Sequence, residues 1–364
     1  MADEDLAASR ASAPAPIKYI PDFALRSEDA LGGALEADQY CSEKGWFFDE
    51  ITHLDGELPF KDHVGRQFRH SREWIACMKD VRVISEGFLV TGEGVITRGL
   101  THCNISVTIH GRLFEAYPEI IHSSAEIPEA ILCWGTDNFG HWLWEFLARM
   151  TLLKKGLSIP VLLNEKTPPR FYEWIVAMGF ENLVIAGDWV KVKKLWVPSV
   201  VNYRGHYENN ECYVSVKSIL ALRSRLARIG RPRRKLYFSR AQDAWRRIVN
   251  EPEVIENLPG FEVIDTERIA GMSMEDQLEL VGEAHTIVMP CGGASPITMF
   301  APENCKIIEL NNNLLHADFG SAAWAGILGQ KFCRIDGPPV GEGMKRDRDY
   351  TIDPKKLEEA LCQP

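Results

Sequence analysis

Hydrophobic and polar positions along this chain follow three successive rhythms. Residues 1–17 set a few apolar side chains among acidic residues, Ala, Ser and Pro (Ala2-Asp3-Glu4-Asp5 to Ala15-Pro16). A segment of that composition cannot bury enough apolar area to offset the entropy of ordering it, which predicts a solvated tail. From 80 to 116, short runs of β-branched and aromatic residues alternate with Gly, and 81–84, 87–90, 94–97 and 105–109 read as strands of a meander or hairpin set.

After about residue 130 the rhythm becomes strand then helix. Segment 130–134 is a predicted strand, followed by a helix over 139–153 with apolar residues at helical spacing. A strand at 161–163, a helix at 170–178 and strands at 183–185 and 194–197 come next, with 198–210 as a connector. Segment 211–228 is predicted as a helix whose basic residues fall in the later turns, where a helix C-terminus favours them. The last third alternates most regularly. Strands at 235–238, 261–264, 286–289, 306–310 and 331–335 are separated by helices at 252–258, 273–284, a turn-helix ending near 300, and 321–328. Fully apolar strands in such a series are the mark of a parallel sheet covered on both faces. A final helix is predicted over 353–361.

Length and composition narrow the class. At roughly 150 residues per domain, 364 residues give about two domains. Hydrophobic residues at 45% and charged residues at 25% are ordinary for a globular protein. The net charge of −10 disfavours non-specific binding to nucleic acid or to an anionic membrane, both of which need a positive face. The nine Cys are scattered without a close pair, so neither a zinc ribbon nor a redox couple is indicated and a reducing compartment fits. No run of 18 apolar residues and no secretory leader is visible, and the expectation is a cytoplasmic protein without a membrane span.

Three constellations can carry chemistry. In the first, Asn138 is a good N-cap, and His141, Glu145 and Arg149 follow at i, i+4 and i+8 as one polar stripe beside Trp142 and Leu143. A carboxylate one turn from an imidazole can orient it and raise its basicity, which suits deprotonation of an acceptor hydroxyl. The same spacing equally describes a helix with an i,i+4 ion pair. The second constellation follows a strand: Ser239, Arg240, Arg246, Arg247, Asn250 and Glu251. Arg forks suit phosphate oxygens at the C-terminal ends of parallel strands, although a solvated basic loop has the same composition. The third is Pro290-Cys291-Gly292-Gly293-Ala294-Ser295, a strand-to-helix turn whose small residues let a ligand approach backbone amides. It matches neither the dinucleotide fingerprint nor a P-loop. Asp347-Arg348-Asp349 reads as a solvated charged loop, and no His/Cys/Asp set has metal-ligand spacing.

Taken in order, these motifs resemble the family 61 glycosyltransferases. Asn138-Phe139-Gly140-His141-Trp142 with Glu145 and Arg149 is similar to that family's Asn-aromatic-x-His-Trp element. Ser239-Arg240, Arg246-Arg247 and Asn250-Glu251 resemble its central basic segment, and the stretch from Ala284 to Leu310 resembles its Gly-rich turn and following strand. The resemblance covers roughly 130–362 and departs at Cys291, where the family usually has His.

What the resemblance implies is an α/β, GT-B-like fold: two Rossmann-like domains facing a cleft, with extra β-strands in the N-terminal half. The implied division is a tail at 1–17, an acceptor-side domain at 18–205, a nucleotide-sugar domain at 206–345, and a C-terminal helix at 346–364 that packs back on the N-terminal domain. The implied activity is inverting transfer of a sugar from a nucleotide sugar, UDP-linked, to a hydroxyl of a glycan or glycolipid in surface polysaccharide synthesis, with no cofactor and no essential metal. Arg240, Arg246 or Arg247, together with Cys291, Gly292, Gly293, Ala294 and Ser295, would hold the pyrophosphate. Ser239 and Asn250 would also bind the donor, and Glu309 would take the ribose hydroxyls. His141 or Glu145 would be the base, with Asn138, Trp142 and Arg149 supporting. A non-catalytic member acting as a nucleotide sensor or assembly partner is the alternative, and Cys291 favours it. A homodimer or an envelope-assembly partner is left open.

Overall fold

The computed structural model describes residues 19–20, 57–61, 67–71, 73–84, 88–90, 96–97, 126–187, 189–204, 211–312, 320–342 and 347–363. The expected tail at 1–17 and the expected strand at 105–109 lie outside these residues.

The N-terminal half is built on an eight-stranded mixed sheet. Its strand order is Tyr19–Ile20, Ile96–Thr97, Phe88–Val90, Ile75–Ile84, Trp189–Pro198, Glu126–Leu132, Val161–Asn164 and Leu183–Ala186. The last four strands are mutually parallel, and Ile75–Ile84 joins them antiparallel through Trp189–Pro198. The parallel part follows from the apolar strands of the βα series, and the antiparallel part from the Gly-punctuated meander. Trp189–Pro198 is ten residues long, well beyond the expected 194–197. It is paired along both edges, and its lysines pair with Glu126 and Glu129 of the neighbouring strand.

The expected helix at 211–228 is corrected at its start. Glu211–Val214 is a strand in a separate four-stranded sheet, and the helix proper is Val216–Leu226. Ser215 separates the two, its Oγ accepting the Ser218 amide at 2.8 Å. An N-cap of this kind stabilises a helix start by about 1 kcal/mol. In the connector, Asn202–Arg204 pairs antiparallel with the new strand.

The C-terminal half holds a five-stranded parallel sheet in the order Glu262–Ile264, Arg234–Phe238, Ala284–Pro290, Lys306–Asn312, Lys331–Gly337. Successive side chains face opposite sides. Leu236, Ile287, Met289 and Ile307 face the N-terminal half, while Tyr237, Val288, Ile308 and Leu310 face helices Glu251–Glu256 and Pro354–Cys362. The terminal helix therefore packs on the five-stranded unit, through Leu357 and Ala360, and not on the N-terminal half as expected. Lys306 Nζ donates to its last carbonyls, including Leu361 at 3.0 Å. After the Gly-rich turn the helix is a short 3₁₀ segment, Ser295–Phe300, because Ala301 precedes Pro302 and is forced extended (ψ 156°). A further short helix, Thr266–Gly271, starts at Asp265, whose carboxylate accepts the Arg268 amide at 2.7 Å. No described helix is long and apolar enough to cross a membrane.

The two halves share one apolar core. Trp144 packs edge-on against Trp324 (5.0 Å) and Trp174 against Phe300 (5.8 Å). Arg223 bonds the Met299 and Ala301 carbonyls of one half, and Arg225 reaches the Leu153 carbonyl of the other at 3.2 Å. One approach is backbone on backbone: a Cβ on Gly140 would stand 2.7 Å from the Gly293 carbonyl oxygen. Gly140→Ala is therefore expected to destabilise the protein by about 1–3 kcal/mol, whereas Gly271→Ala, which meets open space, changes it by less than about 0.5 kcal/mol. Urea unfolding of the two variants checks this, and equal stabilities would contradict the contact.

Candidate active site

Because Arg234–Phe238 lies between Glu262–Ile264 and Ala284–Pro290, the chain leaves the first strand toward one side and returns on the other. The strand ends splay there, and α/β sheets bind ligands at such a switch point. A cleft of about 430 Å³ opens at this place. One wall comes from the loops after the first three strands of the parallel sheet: Ser239, Arg240, Asp243, Trp245 and Arg246, then Ile264, Asp265 and Met272, then Pro290 and Gly292 to Ala294. The facing wall is Asp137, Asn138, Phe139, Arg170, Phe171, Glu173 and Trp174 of the N-terminal half. The Met274 amide donates to Glu173 across the cleft at 3.3 Å.

Two guanidiniums dominate the first wall. Arg240 is largely buried, its Nη1 donating to the Cys291 carbonyl at 3.3 Å and its Nε pairing with Asp243 at 2.7 Å. Burial, then the positive charge of Arg246, holds its pKa below the usual arginine value. Arg240 lies directly across Gly292, where any Cβ would collide with Nη1. Arg246 has a left-handed backbone (φ 56°), unusual for a residue with a side chain, and its amide donates to the Asp347 carbonyl at 3.2 Å.

A buried carboxylate fixes the start of this loop. Glu251 accepts the Tyr237 hydroxyl at 2.7 Å, the Ser239 hydroxyl at 3.1 Å and the Arg240 amide at 3.4 Å. Burial, with the Glu251 charge beside it, drives the Tyr237 pKa upward, which favours the hydroxyl as donor to Glu251. Ser239 thus reaches the cleft already engaged by its neighbour.

The Gly-rich turn is internally bonded. The Cys291 amide donates to the Leu310 carbonyl at 2.8 Å, and the Gly292 amide to Ser295 Oγ at 3.0 Å. Cys291 and Ser295 are buried behind the turn, while Gly292, Gly293 and Ala294 face the cleft.

On the other side, Asn138 caps the helix as expected, Oδ1 accepting the Gly140 and His141 amides at 3.0 and 3.3 Å. The helix begins as α over Phe139–His141 but widens to a π turn over Trp142–Leu147. Side chains from elsewhere serve the loosened carbonyls: Asn202 donates to Trp144 O at 3.1 Å, Ser218 to Ala148 O at 3.0 Å and Cys133 to Phe146 O at 3.6 Å. His141 Nδ1 and Glu145 Oε1 are 3.0 Å apart, with 17% and 6% of their side chains exposed. Trp142 stacks on Phe171 at 4.6 Å, behind the cleft wall. Arg149 is wholly buried; desolvation pushes its pKa down to about 10, and the nearby Cys133 and Glu145 oppose the shift. The stripe therefore forms, but it turns inward. Asn138 and Phe139 line the cleft, whereas His141 and Glu145, one turn on, are not among its lining residues.

The remaining residues singled out in the sequence stand apart from the cleft. Arg247 is an exposed ion-pair partner of Asp349, with Nη2 to Oδ2 at 2.7 Å and its amide to Oδ1 at 2.8 Å. Asn250 ties the loop to Ile352, donating to its carbonyl at 2.8 Å. Glu309 is buried inside its strand, accepting the Ser321 hydroxyl at 2.7 Å. Segment 347–349 is not a free solvated loop, since it pins Arg246 and Arg247. Sequence reasoning assigned no role to Asp137, Arg170, Glu173, Asp243, Trp245 or Asp265, which line the cleft. Among the described residues no group of three or more His, Cys, Asp or Glu is placed to hold a metal ion.

Residues 139–308 match the family model described as Glycosyltransferase 61. This segment is similar to the family 61 glycosyltransferases. The matched span begins at the helix that forms one cleft wall and ends in the fourth strand of the parallel sheet, so it takes in both guanidiniums, the Gly-rich turn and the His141–Glu145 pair. The match supports a glycosyltransferase, an activity that takes a sugar donor and an acceptor as substrates. No curated protein matches the chain.

The Glu251 cluster gives this glycosyltransferase a testable hinge between stability and site. Glu251→Ala leaves two buried hydroxyls without their acceptor and is expected to cost about 2–4 kcal/mol. Tyr237→Phe, which removes one donor and leaves the carboxylate its other partners, is expected to cost about 1 kcal/mol. Denaturant unfolding measures both, and a near-neutral Glu251→Ala would show that the carboxylate is not holding the loop.

Proposed function

We propose that the cleft binds the diphosphate of a nucleotide sugar, UDP-linked, and that the enzyme transfers the sugar with inversion to a hydroxyl of a glycan or glycolipid acceptor. The observation that carries this reading is the pairing of Arg240 and Arg246 in one cleft: two like charges close enough for one to lower the other's pKa are stabilised when an anion lies between them. Their place at the switch point of a parallel sheet, beside a turn without side chains at Gly292 and Gly293, supports the same ligand. In the GT-B-like arrangement proposed here, the wall containing Asp137 to Phe139 and Arg170 to Trp174 faces the acceptor.

The chemistry then divides between the walls. Glu145, nearly buried, accepts from His141 Nδ1 and orients the ring so that Nε2 is the basic nitrogen. His141 stands one turn behind the lining residues Asn138 and Phe139 with part of its ring exposed, so the proposal has the acceptor hydroxyl reach past them and give His141 its proton as the oxygen attacks the anomeric carbon. The bond from that carbon to the diphosphate oxygen breaks on the opposite face, and the diphosphate leaves with the electron pair. Arg240 and Arg246 neutralise the charge it gains, so the proposal assigns that work to arginine and to no essential metal. Glu309 and Ser295 hold the strand and turn beneath this site, and Cys291 contributes its carbonyl to Arg240.

Arg240→Ala removes a charge-assisted contact of about 1.5–3 kcal/mol, so it is expected to weaken UDP binding about 10- to 100-fold in calorimetric titration. Unchanged affinity would exclude Arg240 from the donor site. His141→Ala is expected to lower kcat by about 10²–10⁴ with donor affinity preserved. Loss of binding in step with turnover would reject its role as base.

A further inference from the structure

Trp245 is 60% exposed, more than any other large apolar side chain among the described residues. Trp74, Trp134, Trp142, Trp144, Trp174 and Trp324 are all buried. Leaving an indole in water forgoes its burial energy, so a tryptophan held at a cleft rim points to a ligand that covers it. The surrounding backbone is fixed. Before it, Arg240 is tied to Glu251 and to the Cys291 carbonyl. After it, Arg246 and Arg247 are tied to Asp347 and Asp349, and the Val249 amide donates to Tyr350 O at 2.8 Å. Trp245 and Arg246 both line the cleft from a loop of turns and bends in which Arg246 takes a left-handed conformation (φ 56°). Such a conformation costs on the order of 1–3 kcal/mol and persists only where neighbours enforce it.

We propose that Trp245 is the stacking platform for the planar base of the donor nucleotide, an inference that rests on the diphosphate reading above. The ligand class follows from adjacency. A flat aromatic face and two guanidiniums on one short loop match a molecule that carries a flat ring a few bonds from a diphosphate, which describes a nucleoside diphosphate. Asp243 and Asp265 stand near the same rim, and Met272 and Ile264 supply apolar lining beyond it. Every nucleobase has a π face, so stacking supplies affinity without choosing between bases.

The test is calorimetric titration of the full chain and its Trp245→Ala, Trp245→Phe and Arg240→Ala variants with UDP, GDP, CDP and inorganic pyrophosphate. Base–aromatic stacking energies correspond to a loss of about 5- to 100-fold in nucleoside diphosphate affinity for Trp245→Ala. Trp245→Phe, which keeps a ring, is expected within about threefold of the parent, and pyrophosphate binding is expected unchanged in both. Arg240→Ala is expected to lose pyrophosphate and nucleotide together. If the parent chain binds nucleoside diphosphate and Trp245→Ala binds it equally well, the stacking role is overturned while the diphosphate site stands. An equal loss of pyrophosphate and nucleotide in Trp245→Ala would mean loop disruption, and this too overturns stacking. If the parent chain binds no nucleoside diphosphate at all, the diphosphate reading fails and the stacking role fails with it.

Discussion

The site depends on one close approach. At Gly140 and Gly293 two backbones meet with no room for a side chain on Gly140, and a Cβ on Gly293 would press on Asn138 Oδ1 at 3.2 Å, the atom that caps the helix. That contact sets the separation of the cleft walls, because the helix start carries one wall and the Gly-rich turn carries the other. The aromatic contacts of Trp144 with Trp324 and of Trp174 with Phe300 extend the junction into a continuous core. Catalytic geometry tolerates errors well below 1 Å, and a junction made of packed backbone and fused rings deforms less than one made of long side chains.

On this frame the charges are arranged in two tiers. Most arginines between 223 and 234 are consumed structurally: Arg223 and Arg225 serve helix-end and loop carbonyls, while Arg233 and Arg234 pair with Glu283. Arg240 and Arg246 differ, since both stand in the cleft with their backbones anchored by Glu251 and by segment 347–350. A chain of net charge −10 thus brings two guanidiniums together in this cleft. The π turn works similarly on the other wall: its carbonyls are satisfied by Asn202, Ser218 and Cys133, which leaves His141 and Glu145 paired near the helix start.

Much of this was legible in the chain. The apolar strands of the parallel sheet, the Asn138 cap and the basic segment after Phe238 follow from local pattern, and tertiary structure agreed with them. The Ser215 cap was equally local but was masked by apolar residues on both sides, which made a strand and a helix read as one helix. Other features are not local at all. Whether Arg246 or Arg247 enters the cleft is decided by a left-handed residue and by Asp349, about a hundred positions away. The π turn depends on Asn202, 58 residues distant, and the exposure of Trp245 on which loops surround it. Glu309, attractive as a polar residue in an apolar strand, is spent on Ser321 inside the fold.

The central claim is that one nucleoside diphosphate lies between the two walls, and amide hydrogen exchange in the presence and absence of UDP tests it most directly. The account predicts new protection in two separated segments, 239–247 and 291–296, with a smaller change at 137–141 across the cleft. Protection confined to any other part of the chain, or no change at saturating UDP, would contradict it.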